Sequence, residues 1–423
     1  MSPAPESIDL LVTGAAEVAT PLGTEPLAGS ALASLSVVED GAVAIRDGRI
    51  VAVGPRTTLE QGYAPRERLD AAGGVVVPGF VDAHTHPVFG GTREEEFELR
   101  MSGADYVEIA KAGGGILSSV RGVRGASDEL LTAGLMVRLD RFLELGTTTV
   151  EAKSGYGLSL DDELRCLEVI RAASKAHAVE LVPTFLGAHD YPEEFRERRA
   201  DYVDLLVERM LPEVAERGLA RYCDIFIESH VFDLQASRRI LERARELGLE
   251  LRVHADQLTP LGGAQLAAEL GAASADHLEC VSDEGIEALA AAGVVPVLCP
   301  VVPLYLRQTQ EAPARRMVEA GLAPALATDF NPGSCYLQSM PEVLSWAALR
   351  YGFSAAEALT AATLNAAASL GLAGRLGSLE PGKDADLALL DLPNHHHLTY
   401  ELGRNPVRAV VKAGRVAFRR AEA

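Results

Sequence analysis

Apolar and polar positions along the chain follow two rhythms. Near the start, short Val-, Ile- and Leu-rich runs are broken by turn signals such as Asp40-Gly41 and Asp47-Gly48, which is the wording of strands joined by tight turns. The end of the chain repeats the pattern, with strand-like runs at 386–392 and 407–411, the second turning at Ala413-Gly414 into 415–418. Because the termini of a compact chain often meet, both ends are expected to build one small β-sandwich domain, over residues 1–77 and 378–423.

Between them, strand-like runs at 75–82, 147–152, 179–186, 222–228, 249–253, 274–276, 294–298 and 324–327 alternate with helical stretches. In stretches such as 160–176 and 235–247 the apolar residues recur at three- and four-residue spacing, as on one face of a helix. Eight such units predict an α/β fold, a (β/α)₈ TIM-type barrel over 78–377. The run 288–306 carries no charge over 19 residues, long enough to consider as a membrane span. Pro296, Pro300 and Pro303 break it, and Gly293 marks a helix end before a strand at 294–298.

Composition narrows the function. At 423 residues, 48% hydrophobic and 23% charged, the chain has the profile of an ordinary folded protein. Its net charge of -21 argues against nucleic acid and anionic membranes as partners, since both demand a positive footprint. An anionic substrate would need a local cation. Five scattered cysteines with no CxxC pair, and an acidic N-terminus without a secretory pattern, point to the cytoplasm.

The reactive side chains fall in a regular place. His84, His86, Tyr156, His189, His230, His254, His277 and Asp329 all lie at or just beyond the C-terminal end of a strand candidate, and in such a barrel those ends form the active-site face. In Asp82-Ala83-His84-Thr85-His86 the two imidazoles are two residues apart at a strand end, so both point to one side and reach one ion. A bare HxH is weak by itself. His254 and Asp329 supply the remaining donors, and three imidazoles with a carboxylate suit one catalytic zinc or iron. Such an ion activates water near neutral pH, with Asp329 placed to take the proton.

This set resembles the amidohydrolase superfamily, with HxH on the first strand, histidines on the fifth and sixth, and aspartate on the eighth. A narrower resemblance, to the imidazolonepropionase family, covers nearly the whole chain. It rests on His84-Thr85-His86 continuing into Gly91-Thr92-Arg93-Glu94-Glu95-Glu96-Phe97-Glu98-Leu99-Arg100, on Ala112-Gly113-Gly114-Gly115-Ile116 and Lys153-Ser154-Gly155-Tyr156-Gly157-Leu158, and on Leu186-Gly187-Ala188-His189, Ser274-Ala275-Asp276-His277 and Thr328-Asp329-Phe330-Asn331-Pro332-Gly333. Each is weak alone and together they are specific.

The resemblance implies hydrolysis of 4-imidazolone-5-propanoate to N-formimidoyl-L-glutamate in histidine degradation, by attack of a metal-bound hydroxide on the ring carbonyl and cleavage of the cyclic C–N bond. It also implies a homodimer. Arg93 matches a substrate contact and suits the propionate, although alone it reads as a surface arginine in a helical ion pair. Tyr156, His189, Asn331, Gly333 and Ser334 match substrate-binding positions. His277 matches the sixth-strand histidine, expected beside the ring carbonyl. Gln257 stands where the family carries glutamate or glutamine; being neutral, it leaves base duty to Asp329 or His277 and is expected to bind the substrate ring. The stretch 299–305 departs from the family's glycine- and aromatic-rich wording.

Other conspicuous groups are set aside. His395-His396-His397 reads as an exposed loop, Lys153 is misplaced for a carboxylated bridge to a second metal, and Glu228 and His230 read as supports. Two rivals stand beside the main reading: another cyclic amidohydrolase or deaminase on the same scaffold, and a catalytically silent binding protein that keeps only the barrel.

Overall fold

The computed structural model describes residues 5–104 and 114–421. Ala112 and Gly113 of the glycine-rich motif lie outside that set, and Gly115 precedes the helix Ile116–Gly125.

Both chain ends do meet. One sheet orders the strands Arg49–Pro55, Gly41–Arg46, Glu6–Thr13 and Tyr63–Asp70; a six-stranded sheet joins Val75–Pro78, Glu17–Thr20 and Ser36–Glu39 to Leu387–Leu390, Val407–Lys412 and Arg415–Arg419. Leu10, Val12, Val43 and Ile45 from the first pack against Val76, Leu387, Leu389 and Val411 from the second, which makes a sandwich core. Two of the turn signals close hairpins, whereas Asp40-Gly41 joins strands of different sheets. Asp47 and Gly48 have φ of 52° and 75°, Ala413 and Gly414 of 47° and 76°, the left-handed pairs that close two-residue hairpins. These turns also touch, because a Cβ on Gly414 would lie 2.8 Å from the Cα of Gly48.

The eight parallel barrel strands are Phe80–Asp82, Thr147–Lys153, Glu180–Ala188, Tyr222–Ile225, Glu250–Ala255, Ser274–His277, Val295–Leu298 and Ala325–Leu326, each hydrogen-bonded to the next. One expectation needs correcting. The run 75–82 is two strands, not one: Val75–Pro78 pairs antiparallel with Leu387–Leu390 in the sandwich, and Phe80–Asp82 pairs with the second barrel strand. Pro78 and Gly79 make the break, since Pro cannot donate to a ladder and a Cβ on Gly79 would strike Thr148 at 2.4 Å.

The uncharged run 288–306 resolves into the end of the helix Asp283–Ala292, Gly293 at φ 70°, the strand Val295–Leu298 and the short helix Val302–Leu306. No helix among the described residues is long and apolar enough to cross a membrane.

The barrel closes between its first and eighth strands through a few main-chain bonds. His86 N donates to Phe330 O at 2.8 Å and Asp329 N to His84 O at 3.1 Å. Asp82 clamps the same seam, accepting from Thr328 N at 3.0 Å and Thr328 Oγ1 at 2.6 Å. Three of the four residues expected to share an ion, His84, His86 and Asp329, are therefore brought together by main-chain pairing before any side chain turns.

Beneath that face the barrel interior is charged rather than apolar. Glu151, Lys153, Asp224, Arg252 and Asp276 are all essentially inaccessible. Lys153 Nζ donates to Glu151 Oε1 at 2.8 Å and Asp224 Oδ2 at 2.7 Å, and Arg252 Nη2 to Asp276 Oδ2 at 3.2 Å and Ala83 O at 2.8 Å. Buried charges persist only when paired in this way.

Candidate active site

Three donors converge on one point. His84 Nε2 and His86 Nε2 stand 3.3 Å apart, and Asp329 Oδ1 lies 3.5 Å from the first and 3.4 Å from the second. Three ligands at about 2.0–2.2 Å from one zinc-like ion span such distances at near-tetrahedral angles. Asp329 Oδ1 is buried without a hydrogen-bond partner, an unmet bonding demand that a cation would answer. The donor set therefore fits a metal. Asp329 itself sits at φ 49°, a conformation costly for a residue with a Cβ and typical of functional sites.

His254 approaches from the fifth strand. Donor atoms of His84, His254 and His277 lie within 4.8 Å of one another, as do those of His84, His86 and Asp329. The four expected ligands thus fall in two overlapping triples that share His84, with the His86 and His254 rings 5.4 Å apart.

Two carboxylates decide which nitrogens face the centre. His84 Nδ1 donates to Asp276 Oδ2 at 2.6 Å, and His254 Nδ1 lies 3.0 Å from Asp224 Oδ2. His84 is left with Nε2 as its free lone pair, the arrangement that orients metal-binding histidines, while the Asp224 carboxylate stands beside His254 without a formed hydrogen bond. Asp224 and Asp276, which stand against these two imidazoles, were not singled out from the sequence, although Asp276 stood inside one of its motifs. Lys153, considered there as a bridge, is enclosed by Glu151, Asp224 and, at 3.7 Å, Asp276, and so is not offered to the cleft.

Burial holds His84, His86 and His189 well below the usual imidazole range, aided by Lys153 beside His84 and by His254 beside His86. Neutral rings are what metal binding needs. His277 goes the other way: burial opposes its charge, but Glu279, with Oε1 3.8 Å from Nδ1, and Asp329 outweigh it and raise the pKa. Burial raises Asp329, against His277 and His254. It pushes Asp82 up to about 7, against the bonds from Thr328.

The cleft above this centre is lined by His86, Arg93, Tyr156, His189, His254, Gln257, His277, Asp329, Asn331 and Ser334 with Ile116, Phe226, Leu258 and Leu306. Arg93, only 6% exposed, is no surface group; its Nε and Nη2 donate to Glu96 Oε2 at 3.0 and 2.8 Å. Gly333 lies directly against it, since a Cβ there would meet Arg93 Nη1 at 2.1 Å. His189 stacks on His86, rings 5.0 Å apart, and donates Nδ1–H to Gly155 O at 2.9 Å. The Tyr156 ring is 5.3 Å from that of His189.

Asn331 lines the cleft, but its amide is committed to its own loop. Nδ2 donates to Asp329 O at 2.7 Å and Ser334 Oγ at 2.8 Å, while Oδ1 accepts from Gly333 N and Ser334 N. Its geometry is that of a loop brace. Glu228 has a similar task, accepting from Leu258 N and Thr259 N at 2.9 and 3.1 Å beside Gln257. The divergent stretch 299–305 leads into the short helix that brings Leu306 to the cleft. His395 is half-buried against Glu17, with Nδ1 and Oε1 2.7 Å apart, and His397 pairs with Glu401; neither approaches the cleft.

Known proteins share this architecture and more. The amidohydrolase family matches residues 75–417, and an imidazolonepropionase-like composite domain of bacteria matches 41–63. The imidazolonepropionase of Symbiobacterium thermophilum is 52% identical over 415 residues, 97% of this chain and 97% of that protein. That of Solibacter usitatus is 52% identical over 396 residues, covering 93% and 95%. Among solved structures, an adenosine deaminase from Xanthomonas campestris with bound zinc superposes with a TM-score of 0.70 at 23% identity, over 97% of this chain and 93% of that one; at this identity it speaks for the fold alone.

Proposed function

The chain belongs to the amidohydrolase family and, within it, to the imidazolonepropionases, and on that premise we propose that its cleft hydrolyses 4-imidazolone-5-propanoate to N-formimidoyl-L-glutamate, a step of histidine degradation. The observation that carries the reading is Arg93. A buried guanidinium in the same cleft as the His84, His86 and Asp329 donors answers the one demand that an overall charge of -21 leaves unmet, a local cation for the propionate tail.

His84, His86, His254 and Asp329 would hold a single zinc or iron ion. When bound, it would supply a Lewis acid and an activated water at the ring carbonyl. The chain's own groups do the rest. Arg93 holds the propionate, and Tyr156, His189 and Gln257 surround the planar ring with hydrogen-bonding groups. Asp329 takes the proton of the attacking water on its carboxylate. His277, whose pKa Glu279 and Asp329 raise against the effect of burial, donates to the carbonyl oxygen as charge develops there. The C–N bond breaks as the departing ring nitrogen takes a proton, and the former carbonyl carbon becomes a carboxylate.

All five cysteines are free thiols, which with the acidic surface supports a cytoplasmic enzyme without nucleic-acid partners. The family resemblance implies a homodimer, which sedimentation of the purified protein tests. The function is tested by incubating metal-loaded protein with fresh imidazolonepropionate and identifying the product by mass. Formation of N-formimidoyl-L-glutamate is expected. No ring opening, with release of ammonia from a purine or pyrimidine, would favour the deaminase rival.

A further inference from the structure

Glu163 does not line the cleft, yet it reaches beneath a loop that does. It occupies the first turn of the helix Leu160–Ala176 and is fully buried. Three main-chain amides converge on it. Gly155 N donates to Oε1 at 3.1 Å and to Oε2 at 3.0 Å, while Gly157 N and Leu158 N donate to Oε1 at 2.8 and 2.9 Å.

The backbone so gathered is not a relaxed one. Gly155 has φ 104° and Leu158 φ 49°, and a side-chain-bearing residue pays about 1 kcal/mol or more to enter the left-handed region. Something must hold it there. The held loop carries Tyr156 at the cleft wall, and its Gly155 carbonyl accepts the Nδ1–H of His189 at 2.9 Å. Loop and imidazole touch, because a Cβ on Gly155 would come within 3.0 Å of His189 Nδ1.

We propose that Glu163 is a positioning residue for substrate recognition. By gathering the amides of Gly155, Gly157 and Leu158 it seats Tyr156 in the cleft and aims the Gly155 carbonyl at His189. The proton is thereby fixed on Nδ1, and Nε2 is presented as an acceptor for an N–H of the substrate ring. Recognition of a cyclic amide with a ring N–H then depends on a carboxylate that never meets it. The inference rests on the imidazolone reading of the cleft.

The test compares wild type, E163L and E163Q for KM, kcat and bound metal per chain, with folding checked by circular dichroism. Leucine leaves the buried amides without an acceptor, whereas glutamine keeps a neutral one, of roughly half the strength. KM should rise about 30-fold or more in E163L and roughly three- to tenfold in E163Q, with kcat and metal at wild-type levels, the pattern of lost uniform binding. If E163L does not fold, E163Q decides. KM within about twofold of wild type in the variant that decides, or a loss that falls on kcat or on bound metal, overturns the inference. Wild-type protein inactive on imidazolonepropionate rejects the proposed function and this inference with it; an active wild type beside an indifferent variant rejects this inference alone.

Discussion

The floor and the rim of the cleft are held by different means. Below the metal-binding face, charged side chains grip one another: Lys153 joins Glu151 to Asp224, Arg252 reaches Asp276, and these carboxylates hold His254 and His84. Around the rim, single polar side chains grip main chain: Glu163 under Tyr156, Glu228 beside Gln257, and Asn331 within the loop of Gly333. The floor is one cooperative lattice spread over the strands, so its parts fail together. The rim is a set of separate braces, each governing one loop. Metal affinity should therefore follow the floor, and substrate affinity the rim.

The largest effect expected is that of His254→Ala, which removes a proposed ligand: bound metal and turnover should be lost, while circular dichroism still reports a folded barrel. Full activity in a metal-free preparation would refute the metal mechanism altogether. Next comes Lys153→Met, which strands Glu151 and Asp224 as buried charges without their ammonium. Breaking one partner of a buried pair costs about 3–5 kcal/mol, and loosening the support of metal ligands lowers affinity by roughly 10–100-fold. Calorimetric melting and competition with a chelator measure the two. A variant that melts early but keeps its metal affinity would separate stability from the centre and break the lattice picture.

The floor is also where the sequence was least legible. His84 and His86 announced themselves because a strand has period two, and His254 and Asp329 because each follows an apolar run. Asp224 and Asp276 gave no such signal, because the cations and imidazoles they hold stand on other strands, 71 residues apart in the case of Lys153 and Asp224. The fold was readable from its eight repeated units and its two β-rich ends. The division of 75–82 was not, because Pro78-Gly79 interrupts a run that stays apolar on both sides, and only pairing partners assign the halves to different sheets. Asn331 was singled out by its motif, which places it at the cleft wall but does not record that its amide also braces its own loop.

On the rim, Arg93→Ala removes the cation read as the propionate anchor. Hydrogen bonds to charged groups contribute about 1.5–3 kcal/mol, so KM should rise roughly 10–100-fold with metal content unchanged. Arg93→Lys should recover only part of this, because an ammonium lacks the planar fork. Gly333→Ala is the gentler probe of the same contact. Its new Cβ would overlap Arg93 Nη1 at 2.1 Å, displacing a guanidinium that stays present and charged, and a KM rise on the order of tenfold is expected. If Gly333→Ala lowers bound metal instead, rim and floor are not independent.

The smallest effect isolates what location contributes. Ser354 and Glu357 form a capping box at the start of the helix Ala355–Thr360, with Glu357 N donating to Ser354 Oγ at 3.2 Å and Ser354 N to Glu357 Oε2 at 2.7 Å. The chemistry is that of the rim braces, a polar side chain answering main-chain amides, but the box lies away from the cleft and is solvent-exposed. Ser354→Ala should cost about 1 kcal/mol of stability and leave KM, kcat and metal untouched. Bracing a backbone becomes functional only where the braced segment carries a group to the ligand. A change of KM in Ser354→Ala would mean that the helices outside the barrel transmit strain to the cleft, and the division between one lattice and many separate braces would have to be redrawn.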